Sequence, residues 1–356
     1  MSTHTLIVGL TFLICLMAAA ILFSTLVKNS FLRENLLSAA LAVCGSLILG
    51  VGGITIVFWY AYDFVADITV WQYLLPLLST LLIAGSFFIK IPYIVPLAAF
   101  LAAAASVFGG GLSIIFLPQI PLFFNQLITA IALWLFAVGF TALSGLNPLP
   151  QTEGITISIG FILLYLFGLA PFIIGAAAAG LLGALLIAYL YSASQPIGIA
   201  SAPLLGFILG WLGLLSYGEY LLPCFIIFAM FYLLELLVCT ARRITLLPRY
   251  RDFAYNSVSV QSFTGGFPAQ AVIRVIWSTN ILLIILGMFQ INGANPYSIP
   301  VFAALITAWQ LYRMTNWRNE SQTLKETNRE LVKDIKSSFN KLFSSDDNTD
   351  NKTDKH

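Results

Sequence analysis

The chain has 356 residues, of which 59% are hydrophobic, 14% aromatic and only 9% charged, with a formal net charge of +2. Its mean hydropathy is +0.92. So few charges cannot cover the surface of a water-soluble domain, and no basic patch is large enough for nucleic acid, so the composition predicts an all-α polytopic membrane protein.

A helix crossing a bilayer needs about 20 mostly apolar residues, and lipid leaves the backbone no partners but its own. Eleven stretches meet the pattern: 5–27, 36–60, 73–89, 91–108, 127–146, 156–170, 172–190, 202–217, 220–240, 271–289 and 298–312. Several are short or interrupted by Gly and Pro, which makes the expected number of transmembrane helices 10 to 11. No basic region or cleavage site marks the first span, which reads as a retained helix. Cys15, Cys44, Cys224 and Cys239 all fall inside spans and read as small core hydrophobes. The run GAAAAGLLGALL at 175–186 is suited to close helix contact. GGG at 109–111 and GG at 265–266 read as turns or close-packing sites, since neither is followed by the Lys-Ser or Lys-Thr of a phosphate loop.

Basic residues sort to one side. With the N-terminus outside, Lys28, Arg33, Lys90, Arg242, Arg243, Arg249 and Arg251 all fall in inner loops and nine more follow residue 312. The expected outer loops at 61–72, 109–126, 171, 218–219 and 290–297 hold no Lys or Arg. Lys and Arg are retained on the cytoplasmic side, which predicts N-terminus out and C-terminus in. Arg274 lies near the inner end of the tenth span.

The chain then divides into a transmembrane domain over 1–312, a cytoplasmic amphipathic helix over 313–343 and a polar, disordered tail over 344–356. Apolar Leu324, Leu331, Ile335, Phe339 and Leu342 interleave with charges in that helix, which suits it to homodimer contact or to the inner leaflet of the lipid bilayer.

One inner stretch concentrates charge: ARRITLLPRYRDFAYN, 241–256. Arginines at a helix end are commonly topology determinants and headgroup contacts. The order of residues adds more. Glu235, Arg242–Arg243, Arg251–Asp252 and Gln270-Ala271-Val272 follow in sequence, preceded by IGIASAPLLGF at 197–207 and LSGLNPLP at 143–150. Together these resemble the polyprenyl-phosphate N-acetylhexosamine-1-phosphate transferases (glycosyltransferase family 4) over about 125–290. That family includes phospho-MurNAc-pentapeptide transferase and the GlcNAc-1-phosphate transferases.

The resemblance implies transfer of a sugar-1-phosphate from a UDP-sugar to polyprenyl phosphate in a bacterial inner membrane, with Mg as cofactor. It places Arg242, Arg243, Arg249, Arg251 and Asp252 as the substrate-binding set. The family's catalytic acids and histidines are replaced. Phe87–Phe88 stand for its Asp-Asp pair, Ser144 and Asn147 for two loop aspartates, Ile199 for a further aspartate, and Phe253, Tyr255 and Asn256 for its histidines. The chain's only histidines, His4 and His356, lie at its ends.

Of the acids before residue 313, only Glu34, Glu153, Glu235 and Asp252 fall on the inner side or within a span there. Glu153 falls in the expected loop between 127–146 and 156–170, as a solvated residue or a replacement Mg ligand. Glu235 falls in a span, where an acid needs a partner, and Arg274 is the expected one. Three readings follow: a catalytically degenerate binding or scaffold paralogue in cell-envelope glycan assembly, an active divergent transferase, and an unrelated membrane transporter.

Overall fold

The computed structural model describes residues 3–28, 71–86, 93–115, 118–146, 148–192, 202–218, 221–245, 257–264, 267–291 and 297–315. The regular elements among them are all helical. In chain order they are α1 (Thr3–Lys28), α2 (Trp71–Ser86), α3 (Ile94–Ala104), α4 (Leu122–Gly139), α5 (Leu149–Leu166), α6 (Phe172–Ser192), α7 (Ala202–Gly218), α8 (Leu222–Phe228), α9 (Met230–Thr245), α10 (Val258–Thr264) and α11 (Ala269–Gln290). A twelfth helix, α12, covers 298–315. A π-helical turn, Ala105–Gly109, extends α3, and a 3-10 turn, Phe140–Leu143, extends α4.

Every expected span inside the described residues is helical; the second, 36–60, lies outside them, as does the chain beyond 315. Among the described residues five helices are long and apolar enough to cross a bilayer, and a sixth span results if α8 and α9 are taken as one broken helix. Whole faces of large apolar side chains are exposed, such as Leu122, Phe123, Phe124, Ile131 and Leu135 on α4, and Ile281, Ile285 and Phe289 on α11. Patches of that extent are stable only against lipid. The protein is a multi-pass helical membrane protein.

The central helix is α5. Each residue from Leu149 to Ser158 is buried, polar ones included, because α6, α7, α8 and α11 surround it. Pro150 sits in the first turn of α5, where its missing N–H would have had no helical partner anyway. The helix therefore begins inside the segment that was expected to be a loop.

Outside this centre, α1 lies along α6, and Gly183 lets the two backbones approach: a Cβ there would meet Phe12 O at 2.7 Å. That matches the close contact expected of the Gly/Ala run. Elsewhere α2 packs on α3, where Ser79 donates to Ala102 O at 3.1 Å and meets Ser106 at 3.2 Å. Trp134 of α4 donates from Nε1 to Pro96 O at 2.9 Å and ties α3 to the bundle. Cys15, Cys224 and Cys239 are buried thiols, as expected, and Cys44 lies outside the described residues.

Between α8 and α9 the axis bends by 65° at Ala229. The bend sends the two flanking aromatics in different directions. Phe228 enters between α5 and α11, with one ring edge toward Gly160 and the other toward Gly287; a Cβ at Gly160 would lie 2.7 Å from the ring. Tyr232, fully buried, points at α4, donates to Phe136 O at 2.6 Å and packs its ring against Phe136 and Phe140.

Candidate functional site

α9 is amphipathic toward its end, and Glu235 and Arg242 share one face of it because residues seven apart are nearly two full turns apart. That face meets α10. Glu235 is fully buried, and its carboxylate accepts four hydrogen bonds: Ser257 Oγ at 2.7 Å, Val258 N at 3.2 Å, Ser259 N at 2.9 Å and Ser259 Oγ at 2.6 Å. Arg242 Nη1 donates to Gln261 Oε1 at 2.7 Å, one turn further along α10.

The local sequence explains the geometry. Ser257 is the N-cap of α10, its hydroxyl accepting from Val260 N at 3.3 Å while donating to Glu235. The Val258 and Ser259 amides belong to the first turn, where no helical carbonyl is available to them. A carboxylate supplies the missing acceptor, and the positive end of the helix dipole favours its charge. Each hydrogen bond to a charged group is worth about 1.5–3 kcal/mol, which offsets the cost of burying the acid.

This corrects the expected Glu235–Arg274 pair. Arg274 is exposed on α11, and Glu235 is held instead by serines and backbone amides that close the base of the arginine stretch. The chain leaves α9 at Thr245 and returns at Ser257 against a residue ten positions before that exit. Arg249, Arg251, Asp252, Phe253, Tyr255 and Asn256 lie between these points, outside the described residues, as do Asn147, Ile199 and Phe87–Phe88.

A second polar cluster lies between α5 and α11. Glu153 is fully buried in the first turns of α5, which corrects its expected place in a solvated loop. Asn280, also fully buried, donates from Nδ2 to Glu153 Oε1 at 2.7 Å and to Thr156 Oγ1 at 3.0 Å. Ser144 ends the 3-10 turn after α4, its hydroxyl spent on Thr141 O at 2.7 Å. Thus Glu153, Glu235 and Arg242 are drawn toward α10 and α11.

Asn280, Thr156, Ser257, Ser259 and Gln261 complete these clusters and were not singled out by motif. Asn280 had a signal: a carboxamide inside the apolar run WSTNILLIIL is costly in lipid unless another helix answers it. Ser257 and Ser259 had a weaker one, as cap residues before a short helix.

Among the described residues no group of three His, Cys, Asp or Glu is placed to hold a metal ion. The Glu235 cluster joins α9 to α10, and the Glu153 cluster joins α5 to α11. Comparison with known proteins finds no family model that matches the chain and no curated protein that matches it.

Proposed function

We propose that the protein is a degenerate paralogue of the polyprenyl-phosphate sugar-1-phosphate transferases. In this reading it binds a polyprenyl phosphate or UDP-sugar through its arginine stretch in a bacterial inner membrane, and serves as a binding or scaffold partner in cell-envelope glycan assembly. The observation that carries the reading is the Glu235 clamp. The acid that precedes the paired arginines is consumed by four donors from Ser257, Val258 and Ser259, so it is not available to a metal. Arginine recognises phosphate oxygens by paired charge-assisted hydrogen bonds. Mg²⁺ is held by carboxylates together with substrate phosphates, and it keeps several waters. Glu153, buried inside the bundle, suits that role poorly.

The test is binding and turnover by the purified protein with undecaprenyl phosphate, Mg²⁺ and, in turn, UDP-GlcNAc and UDP-MurNAc-pentapeptide, beside an active transferase. Saturable binding of the lipid phosphate or of a UDP-sugar, lost in Arg242→Ala or Arg251→Ala and without UMP release, is the expected result. UMP release would instead establish an active divergent transferase. Absence of binding would end the reading.

One observation favours a second reading, a membrane transporter: two acids, Glu153 and Glu235, are fully buried among helices of which one is broken by 65°. Transport sites lie where broken helices and buried charges meet. Substrate-dependent flux in proteoliposomes would decide for it.

A further inference from the structure

The Glu153–Asn280 contact leaves two acceptors unanswered. Asn280 spends both Nδ2 hydrogens, on Glu153 Oε1 and Thr156 Oγ1. The second oxygens of the same two groups, Glu153 Oε2 and Asn280 Oδ1, are buried with no partner. Neither an ionised carboxylate nor an amide oxygen carries a hydrogen, so the two cannot satisfy one another. Thr156 cannot help, because its hydroxyl hydrogen goes to Thr152 O at 2.8 Å. An unsatisfied buried acceptor costs about 1–3 kcal/mol, and more when charged.

Charge is unanswered as well. Around α5, the helices α6, α7 and α8 contain no Lys, Arg, Asp or Glu, and α11 contains only Arg274, which is exposed. α9 adds a second carboxylate, Glu235, whose own oxygens are already occupied by donors from Ser257, Val258 and Ser259. α9 also carries two cations, Arg242 and Arg243, about two turns beyond Glu235, and Arg242 Nη1 is bonded to Gln261 on α10. Among the described residues, the side chain bonded to Glu153 is the neutral amide of Asn280.

We propose that Glu153, Thr156 and Asn280 form an intramembrane site for one unit of positive charge, carried by a proton or by a monovalent metal cation. A proton on Oε2 donates to Asn280 Oδ1 while Asn280 Nδ2 donates to Oε1, so acid and amide close a ring of two hydrogen bonds and both orphaned oxygens are satisfied. A cation such as Na⁺ takes Oε2 and Oδ1 as ligands, with the Thr156 hydroxyl oxygen beside them. Both carriers leave the pair neutral, which the surrounding apolar helices require. A divalent ion would leave one charge uncompensated at a single carboxylate. The site stands whether the arginine stretch binds phosphate or the protein transports a solute.

The test uses the full chain in nanodiscs above pH 7, where exposed carboxylates are ionised. Infrared difference spectra and thermal unfolding are measured in choline chloride and in NaCl at equal ionic strength. In choline the wild type is expected to show a carboxylic-acid C=O band that Glu153→Gln removes. If the proton is the only occupant, the band survives NaCl and the melting temperature is unchanged by it. If Na⁺ competes, the band fades with NaCl while the melting temperature rises, and Glu153→Gln abolishes both responses. Asn280→Ala keeps the acid and should shift its band upward as the amide partner is lost, which serves if Glu153→Gln fails to fold. No acid band in choline together with no Na⁺-dependent stabilisation would overturn the proposal, as would a band that persists unchanged in Glu153→Gln.

Discussion

Glu235 and Ser259 are bonded twice: the Ser259 amide at 2.9 Å and its hydroxyl at 2.6 Å both end on Oε1 of the same buried carboxylate. The two residues sit on either side of the arginine-rich stretch, and their contact fixes where that stretch starts and ends.

Removing the acid should therefore act on the loop before it acts on the bundle. Glu235→Ala leaves the Val258 and Ser259 amides without an acceptor in a dry environment, at a cost of about 1–3 kcal/mol for each orphaned donor. The expected outcome is faster hydrogen exchange over 257–264 and a lower melting temperature in detergent. Ser259→Ala should lose roughly half as much, and a double-mutant cycle should show coupling of about 0.5–3 kcal/mol between the two. Unchanged exchange in Glu235→Ala would refute the clamp.

The Phe228 ring offers a second measurement. Its edges lie against Gly160 on α5 and Gly287 on α11, so Gly287→Ala places a methyl in the ring and should cost about 1–3 kcal/mol. Phe228→Ala opens a cavity and should cost about 3–5 kcal/mol. In the double variant the methyl enters the space the ring has left, so the loss should fall short of the sum. Additive losses would show that the ring does not sit between the two glycines.

Tyr232→Phe keeps the ring contacts with Phe136 and Phe140 but removes the donor to Phe136 O. The expected loss is about 1 kcal/mol, read as a small drop in unfolding midpoint. A neutral result would show that this carbonyl is satisfied without the phenol.

The one-sided distribution of Lys and Arg predicts orientation. A fluorescent protein fused after His356 should fold and fluoresce in cells, whereas a periplasmic phosphatase at the same point should stay inactive. Phosphatase activity at that end would reverse the orientation and put the arginine stretch outside.

The spans were legible because a bilayer demands apolar length, and length is visible in a single sequence; the ends of α1, α6 and α7 fall within two residues of the expected ones. The start of α5 was not. PLPQTEG reads as a loop because two prolines and three polar residues lower its hydropathy, yet Pro150 fits the first turn and Gln151, Thr152 and Glu153 are covered by neighbouring helices. Hydropathy records what a residue prefers, and only packing shows what surrounds it. The partner of Glu235 was hidden for a related reason. Charge suggested Arg274, but two serines and two backbone amides offer comparable stabilisation without a second ion, and backbone donors leave no mark in composition. The position of most of the arginine stretch, and of Asn147, Ile199, Phe253, Tyr255 and Asn256, falls outside the described residues.

Gly160 and Gly287 each lie seven residues beyond Glu153 and Asn280 on the same two helices. The polar contact and the ring seat therefore mark α5 and α11 at matching intervals, like two teeth of a gear rack, and the helices run in the same direction. A slide of one residue along either axis would part the carboxylate from its amide and drive the ring into a backbone in a single step. Sliding of one helix past the other is thus opposed at two points at once, one polar and one steric.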